Sequence, residues 1–221
     1  MTRSELAAMI DHTLLKPDAT DDDIEALCEA AVRHGLKTVC VNPCRVELAA
    51  RLVSDSETGV CSVAGFPLGA SIPDVKSVEA ARAIQVGATE IDMVMNVGAL
   101  RSGELKLAAN DIAAVVRACE GRALLKVIIE AALLTDEQKV AACRMAVEQG
   151  AGFVKTSTGF GPGGATVEDV TLMREAVGDE AGVKAAGGIR DYETAVAMIE
   201  AGATRIGASS SLAILDGAEE V

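Results

Sequence analysis

Four helical stretches in this chain stop at a glycine, at Gly35, Gly87, Gly150 and Gly202, and each is followed within a few residues by an apolar, strand-like run. Glycine just past a helix end takes the left-handed conformation without a steric penalty, so each marks a helix-to-strand joint. The intervening sequence keeps the same beat. It predicts a short helix over residues 4–9 and strands over 9–15, 38–42, 61–66, 90–95, 124–130, 183–186 and 205–208, with a further strand carrying Lys155. Between them lie helices from Asp21 to His34, Pro43 to Val53, Pro73 to Gln85 and about Glu104 to Cys119, and others opened by Thr135, Thr166 and Asp191. Acidic residues cluster in first turns, as at Asp21, Asp22 and Asp23, where the helix dipole favours them. About eight alternations, with no linker long enough to part domains, predict an α/β chain folded as one closed (β/α)8 TIM barrel over residues 1–221, with a short N-terminal helix. An open doubly wound sheet is the rival. It is weakened because no Gly-x-Gly-x-x-Gly follows the first strand and because polar residues recur inside the strands.

The net charge of −13 argues against nucleic acid and anionic membranes as partners, since both would repel the chain. A phosphorylated small molecule stays possible, because local lysines and backbone N–H groups can hold an anion within an acidic protein. The acidic excess is also compatible with a salt-adapted host. Six scattered cysteines show no Cys-x-x-Cys pair, so no metal site is expected and most read as buried thiols, Cys40 included. No signal peptide and no run of about 20 apolar residues is present, so the expected location is cytoplasmic. His12 reads as a hydrogen-bonded structural histidine and His34 as a helix C-terminal contact.

The strands themselves carry the chemistry. Lys126, Lys155 and Lys184 each interrupt an apolar run, and the intervals 126 to 155 and 155 to 184 are both 29 residues, roughly one strand–helix–strand unit. The equal spacing predicts that all three sit at the same point of successive units. Asp92 stands alone among apolar neighbours in the fourth strand. In a barrel these four side chains converge at the C-terminal ends of the strands, where such folds place their active sites. Two close lysines in a dry pocket disfavour each other's charge, which points to one neutral amine able to attack a carbonyl, with Asp92 moving protons. The alternatives are strand-end lysines with solvated heads, or a buried ion-pair network that only fixes the barrel. Glycine-rich turns at 159–164, Gly187-Gly188-Ile189 and Gly207-Ala208-Ser209-Ser210 follow consecutive strands and read either as plain turns or as a phosphate cradle.

Seven segments together resemble the deoxyribose-phosphate aldolase family of class I aldolases: those around Ile10-Asp11-His12-Thr13, Val39-Cys40-Val41-Asn42-Pro43, Glu90-Ile91-Asp92, Leu125-Lys126-Val127, Phe153-Val154-Lys155-Thr156, Val183-Lys184-Ala185 and Ile206-Gly207-Ala208-Ser209-Ser210. The resemblance covers almost the whole chain. It implies a (β/α)8 barrel that reversibly cleaves 2-deoxy-D-ribose 5-phosphate to acetaldehyde and D-glyceraldehyde 3-phosphate, with no cofactor and no metal. By the matching motifs, Lys155 would form the Schiff base, Lys184 would lower its pKa and Asp92 would transfer protons. Asp11, Thr13 and Lys126 would support the substrate site, and Gly187, Gly188, Ser209 and Ser210 would contact the phosphate. Phe160 stands where some members of the family carry a lysine, which removes one phosphate cation. A homodimer or higher homo-oligomer is compatible with this reading. Its competitors are another Schiff-base aldolase or transaldolase acting on a ketose phosphate, and a non-catalytic sugar-phosphate-binding barrel.

Overall fold

The structure is a computed structural model describing residues 1–119 and 121–219. Strands β1 (Ile10–Leu14), β2 (Thr38–Val41), β3 (Gly59–Ala64), β4 (Glu90–Val94), β5 (Leu124–Ile128), β6 (Phe153–Lys155), β7 (Gly182–Ala186) and β8 (Arg205–Ala208) close into a barrel in sequence order. Every neighbouring pair is parallel, including β1 with β8. Around it run α2 (Asp21–His34), α3 (Val46–Leu52), α4 (Pro73–Gln85), α6 (Leu105–Cys119), α7 (Asp136–Glu148), α8 (Val167–Val177) and α9 (Tyr192–Glu200). Three shorter helices, α1 (Arg3–Ala7), α5 (Val97–Arg101) and α10 (Ser211–Asp216), complete the described chain.

The helix starts follow from capping. Thr2, Thr20 and Thr135 each close a full capping box, and the side chains of Thr166 and Asp191 accept from the third helical N–H of α8 and α9. Each such cap contributes about 1 kcal/mol. Gly35 ends α2 at φ 65°. Two helices lie outside the sequence expectation, α5 and α10. One turn or so is too short for a helical apolar period to register. Pro43 opens a 3-10 turn, Pro43–Arg45, and the α-helix begins only at Val46. The fifth strand stops at Ile128, short of the expected residue 130, and Glu130 itself takes the left-handed conformation at φ 52°.

Alternation along each strand divides the side chains between two environments. Val39, Val60, Ile91, Val127, Val154, Val183 and Ile206 are buried in the cluster that packs the wall against the helices. Hydrophobic burial of this kind stabilises a fold by about 1.5–3 kcal/mol per side chain. Positions of the opposite parity face the barrel interior, where Cys40, Cys61 and Val63 form a small apolar patch with Leu15. The rest of that interior is ionic: Asp11, Glu90, Asp92, Lys126, Lys155, Lys184 and Arg205 are all buried.

Candidate active site

Asp92 lies at the centre of the interior. Its Oδ2 accepts hydrogen bonds from the amines of Lys155 at 2.7 Å and Lys184 at 2.8 Å, and its Oδ1 accepts from Lys126 at 2.8 Å. Two lysines therefore share one carboxylate oxygen. Lys155 and Lys184 are also register partners on β6 and β7, so their side chains leave the wall side by side. Lys126 departs from the sequence expectation. It pairs with Phe153, while Lys155 pairs with Ile128, so Lys126 enters the barrel one inward position earlier than the other two. Equal unit length does not fix equal depth, because closing a tilted barrel staggers the hydrogen-bond register.

Two further groups, unremarked in the sequence, complete the network. Glu90 forms an ion pair with Lys126 at 2.6 Å and accepts from Arg205 at 3.0 Å. Arg205 also donates to Asp11 at 2.7 Å and lies over the Phe153 ring, 5.4 Å from its centroid. Asp11 accepts in addition from Lys184. Both Glu90 and Arg205 are the first residues of their strands, positions that look like exposed ends in a sequence.

These contacts set the charge states. Burial alone would push Asp92 up, but Lys126, Lys155 and Lys184 override it and hold the carboxyl well below its ordinary range. Burial likewise opposes ionisation of Asp11, and Lys184, Lys126 and Arg205 hold it low. Against the desolvation that disfavours a buried ammonium, Asp11 and Asp92 hold Lys184 above its ordinary value, and Asp92 with its neighbours does the same for Lys126. Lys184 is therefore a standing cation beside Lys155, with the Asp92 carboxylate between them. A depressed carboxyl stabilises the fold above its unfolded pKa of about 4 and loses that contribution as the pH falls through its folded value. The melting temperature is thus expected to hold steady between about pH 5 and 7 as far as Asp11 and Asp92 are concerned, and to fall on acidification below about pH 4. A thermal melt unchanged at about pH 3 would contradict the pairing.

A cavity of about 390 Å³ opens above this network at the C-terminal ends of β1, β6, β7 and β8. Lys155 lines it, as do Thr13, Gly187, Gly188 and Ser209. Asp11, Asp92, Lys126, Lys184 and Ser210 are not among its lining residues. Lys155 is thus the one amine of the buried trio that meets the cavity. Gly187 sits at φ 91°, and a Cβ on the facing Gly164 would fall 2.3 Å from the Gly187 carbonyl oxygen, so this corner admits only bare backbone. At the mouth, Phe66 and Phe160 meet edge to face with centroids 5.3 Å apart. Below Phe160, the buried Glu130 carboxylate accepts from both the N–H and the hydroxyl of Thr158, the latter at 2.5 Å, which anchors the loop after β6.

Lys16 and Arg190 also line the cavity, and sequence reasoning passed over both. Each stands just past a strand that carries a recognised residue, and their position at strand ends is the signal that was there to be used. Among the described residues neither forms a salt bridge. His12 is structural in placement, its Nδ1 2.9 Å from the Ser211 hydroxyl. Cys44 is exposed and the other five cysteines are buried. Donor atoms of Cys40, Cys61 and Asp92 lie within 4.8 Å of one another, a spacing compatible with a metal. The Lys126 ammonium already fills that role, at 3.4 Å from the Cys61 sulfur and 2.8 Å from Asp92.

A parallel eight-stranded barrel with a cavity-facing lysine, backed by a carboxylate and a second cation, is compatible with a barrel lyase as the class of protein. Comparison with known proteins narrows the class: residues 6–217 match the model of the DeoC/LacD family aldolases, and the chain belongs to that family. It is 59% identical over 218 residues to a deoxyribose-phosphate aldolase of Halalkalibacterium halodurans, covering 98% of this chain and 97% of that one. It is 60% identical over 210 residues to the deoxyribose-phosphate aldolase of Brevibacillus brevis, covering 95% of each. Among solved structures, the deoxyribose phosphate aldolase of Aeropyrum pernix, described as a tetramer, superposes with a TM-score of 0.91 at 34% identity, covering 97% of this chain and 91% of that one. Among the described residues no helix is long and apolar enough to cross a membrane.

Proposed function

We propose that this chain is a class I aldolase that reversibly cleaves 2-deoxy-D-ribose 5-phosphate to acetaldehyde and D-glyceraldehyde 3-phosphate. The observation that carries the reading is the amine of Lys155, which faces the cavity while hydrogen-bonded to Asp92 and flanked by Lys184. The free amine attacks the aldehyde carbon of the open-chain sugar, and the resulting carbinolamine loses water to give an iminium ion. Loss of the proton from the C3 hydroxyl then breaks the C2–C3 bond. Its electron pair moves into the enamine, and D-glyceraldehyde 3-phosphate departs. Protonation of the enamine at C2 and hydrolysis release acetaldehyde and return the amine. Asp92 handles the protons and pairs with the iminium charge, and the Lys184 ammonium favours the free amine of Lys155 between turnovers. Asp11 and Lys126 act from beneath, by holding Lys184 and Asp92 in place.

The phosphate sits at the cavity mouth against the backbone of Gly187 and Gly188 and the side chain of Ser209, with Ser210 behind. Lys16 and Arg190 supply the cations there that Phe160 does not. Lys16→Gln is expected to raise KM for the phosphorylated sugar about tenfold, the loss of one charge-assisted contact, with little change in kcat. An unchanged KM would remove Lys16 from the phosphate site. The chain works in the cytoplasm as a homo-oligomer, in keeping with the tetrameric relative.

The test of substrate class is direct. The purified protein is offered D-glyceraldehyde 3-phosphate with acetaldehyde, and separately with dihydroxyacetone phosphate. Condensation with acetaldehyde supports the reading. Condensation with dihydroxyacetone phosphate alone points to the ketose-phosphate alternative, and condensation with neither points to a non-catalytic barrel.

A further inference from the structure

We propose that Arg205, which lies outside the cavity lining, is a positioning residue that keeps the Lys155 amine free by occupying the buried carboxylates Asp11 and Glu90. The inference rests on the class I reading above and concerns how the site is kept ready between turnovers.

The argument is one of matched charge. Every strand contributes an inward group to the network: Asp11 from β1, the thiols of Cys40 and Cys61 from β2 and β3, Glu90 and Asp92 from β4, Lys126 from β5, Lys155 from β6, Lys184 from β7 and Arg205 from β8. Burial pushes the Cys61 thiol well up, whereas contact with Cys61 draws the Cys40 thiol down; Lys184 and Lys155 both act on Cys40 in that direction, so it does not distinguish between these two lysines. Among the carboxylates, three face four basic groups. A buried charge without a counter-charge is strongly disfavoured, so the basic group with the fewest carboxylate contacts is the one that most readily gives up its proton. Arginine cannot be that one, because its guanidinium does not lose its proton in proteins.

Contacts decide among the lysines. Lys126 lies near three carboxylates, with Glu90 at 2.6 Å, Asp92 at 2.8 Å and Asp11 at 3.7 Å. Lys184 touches two, Asp11 and Asp92. Lys155 touches Asp92 alone, and it is also the one that meets the cavity. It is the least held of the three. Arg205 brings about this imbalance by drawing on both Asp11 and Glu90, at 2.7 and 3.0 Å. Without it, three lysines would face three carboxylates, and Lys155 would keep its proton to higher pH.

The test follows the pH dependence of borohydride trapping of acetaldehyde by the full-length protein, with the adduct located by peptide mass spectrometry. Arg205→Gln is expected to move the midpoint for adduct formation on Lys155 up by about one pH unit, read as roughly tenfold slower trapping on the acid side of the parent midpoint. Adding Glu90→Gln removes one carboxylate with the cation and is expected to bring the midpoint back. Arg205→Lys, which keeps the charge, is expected to keep the parent midpoint whatever its effect on rate. Glu90→Gln alone leaves two basic groups in excess and is expected to lower the midpoint, which keeps the idea testable should Arg205→Gln not fold. A merely structural arginine would change stability without these reciprocal shifts. An unmoved midpoint in folded Arg205→Gln, or an unmoved or raised one in Glu90→Gln, overturns the inference while leaving the aldolase reading intact. A parent protein that forms no adduct at any pH overturns both.

Discussion

Lys155→Ala is expected to leave no measurable cleavage of 2-deoxy-D-ribose 5-phosphate in a protein that still folds. The other two amines of the network are fully buried and line no part of the cavity, so neither can take over the attack. Loss of the nucleophile removes the covalent route, and a fall of at least about 10⁴ in kcat is expected from that alone. The fold should survive. Asp92 keeps Lys126 and Lys184 as partners, so the truncation strands no buried carboxylate. Circular dichroism and a thermal melt close to the parent, together with no turnover, are the expected pair of results. Activity within tenfold of the parent would place the nucleophile elsewhere.

Asp92→Asn is expected to damage both the chemistry and the fold. The substitution is nearly isosteric, but it removes the one negative charge on which three amines converge. Removing one member of a buried ionic cluster costs roughly 3–5 kcal/mol, because the remaining charges stay buried without compensation. Loss of the proton carrier lowers turnover by about 10²–10⁴ on the fraction that remains folded. The two effects separate by measuring kcat per folded molecule well below the melting temperature. Turnover near the parent value there would confine Asp92 to a structural role.

The acid stability of Asp11 and Asp92 and the Arg205 variants bear on the same cluster, and the cluster was only partly legible in the sequence. Lys155, Lys184 and Asp92 were visible because a charge inside an apolar strand is costly and so calls for a partner. Their mutual placement was less visible. The sequence suggested two ammonium groups set against each other, whereas the fold puts a carboxylate oxygen between them. The depth of Lys126 depended on the register between β5 and β6, which unit length does not determine. Glu90 and Arg205 were hidden as the first residues of short strands, and Lys16 and Arg190 as loop residues with no periodicity to mark them. The barrel itself was legible throughout, because strand patterns, helix caps and glycine stops agreed from Asp21 to Ala208. The five-residue α5 and six-residue α10 escaped, being too short to carry a pattern.

All of this chemistry requires a covalent bond between one lysine and an aldehyde carbon. Incubating the protein with acetaldehyde, reducing with borohydride and mapping the modified peptide reads that bond directly. The expected result is a single reduced adduct on Lys155, absent when the aldehyde is left out. No adduct, or one confined to Lys126, would contradict it.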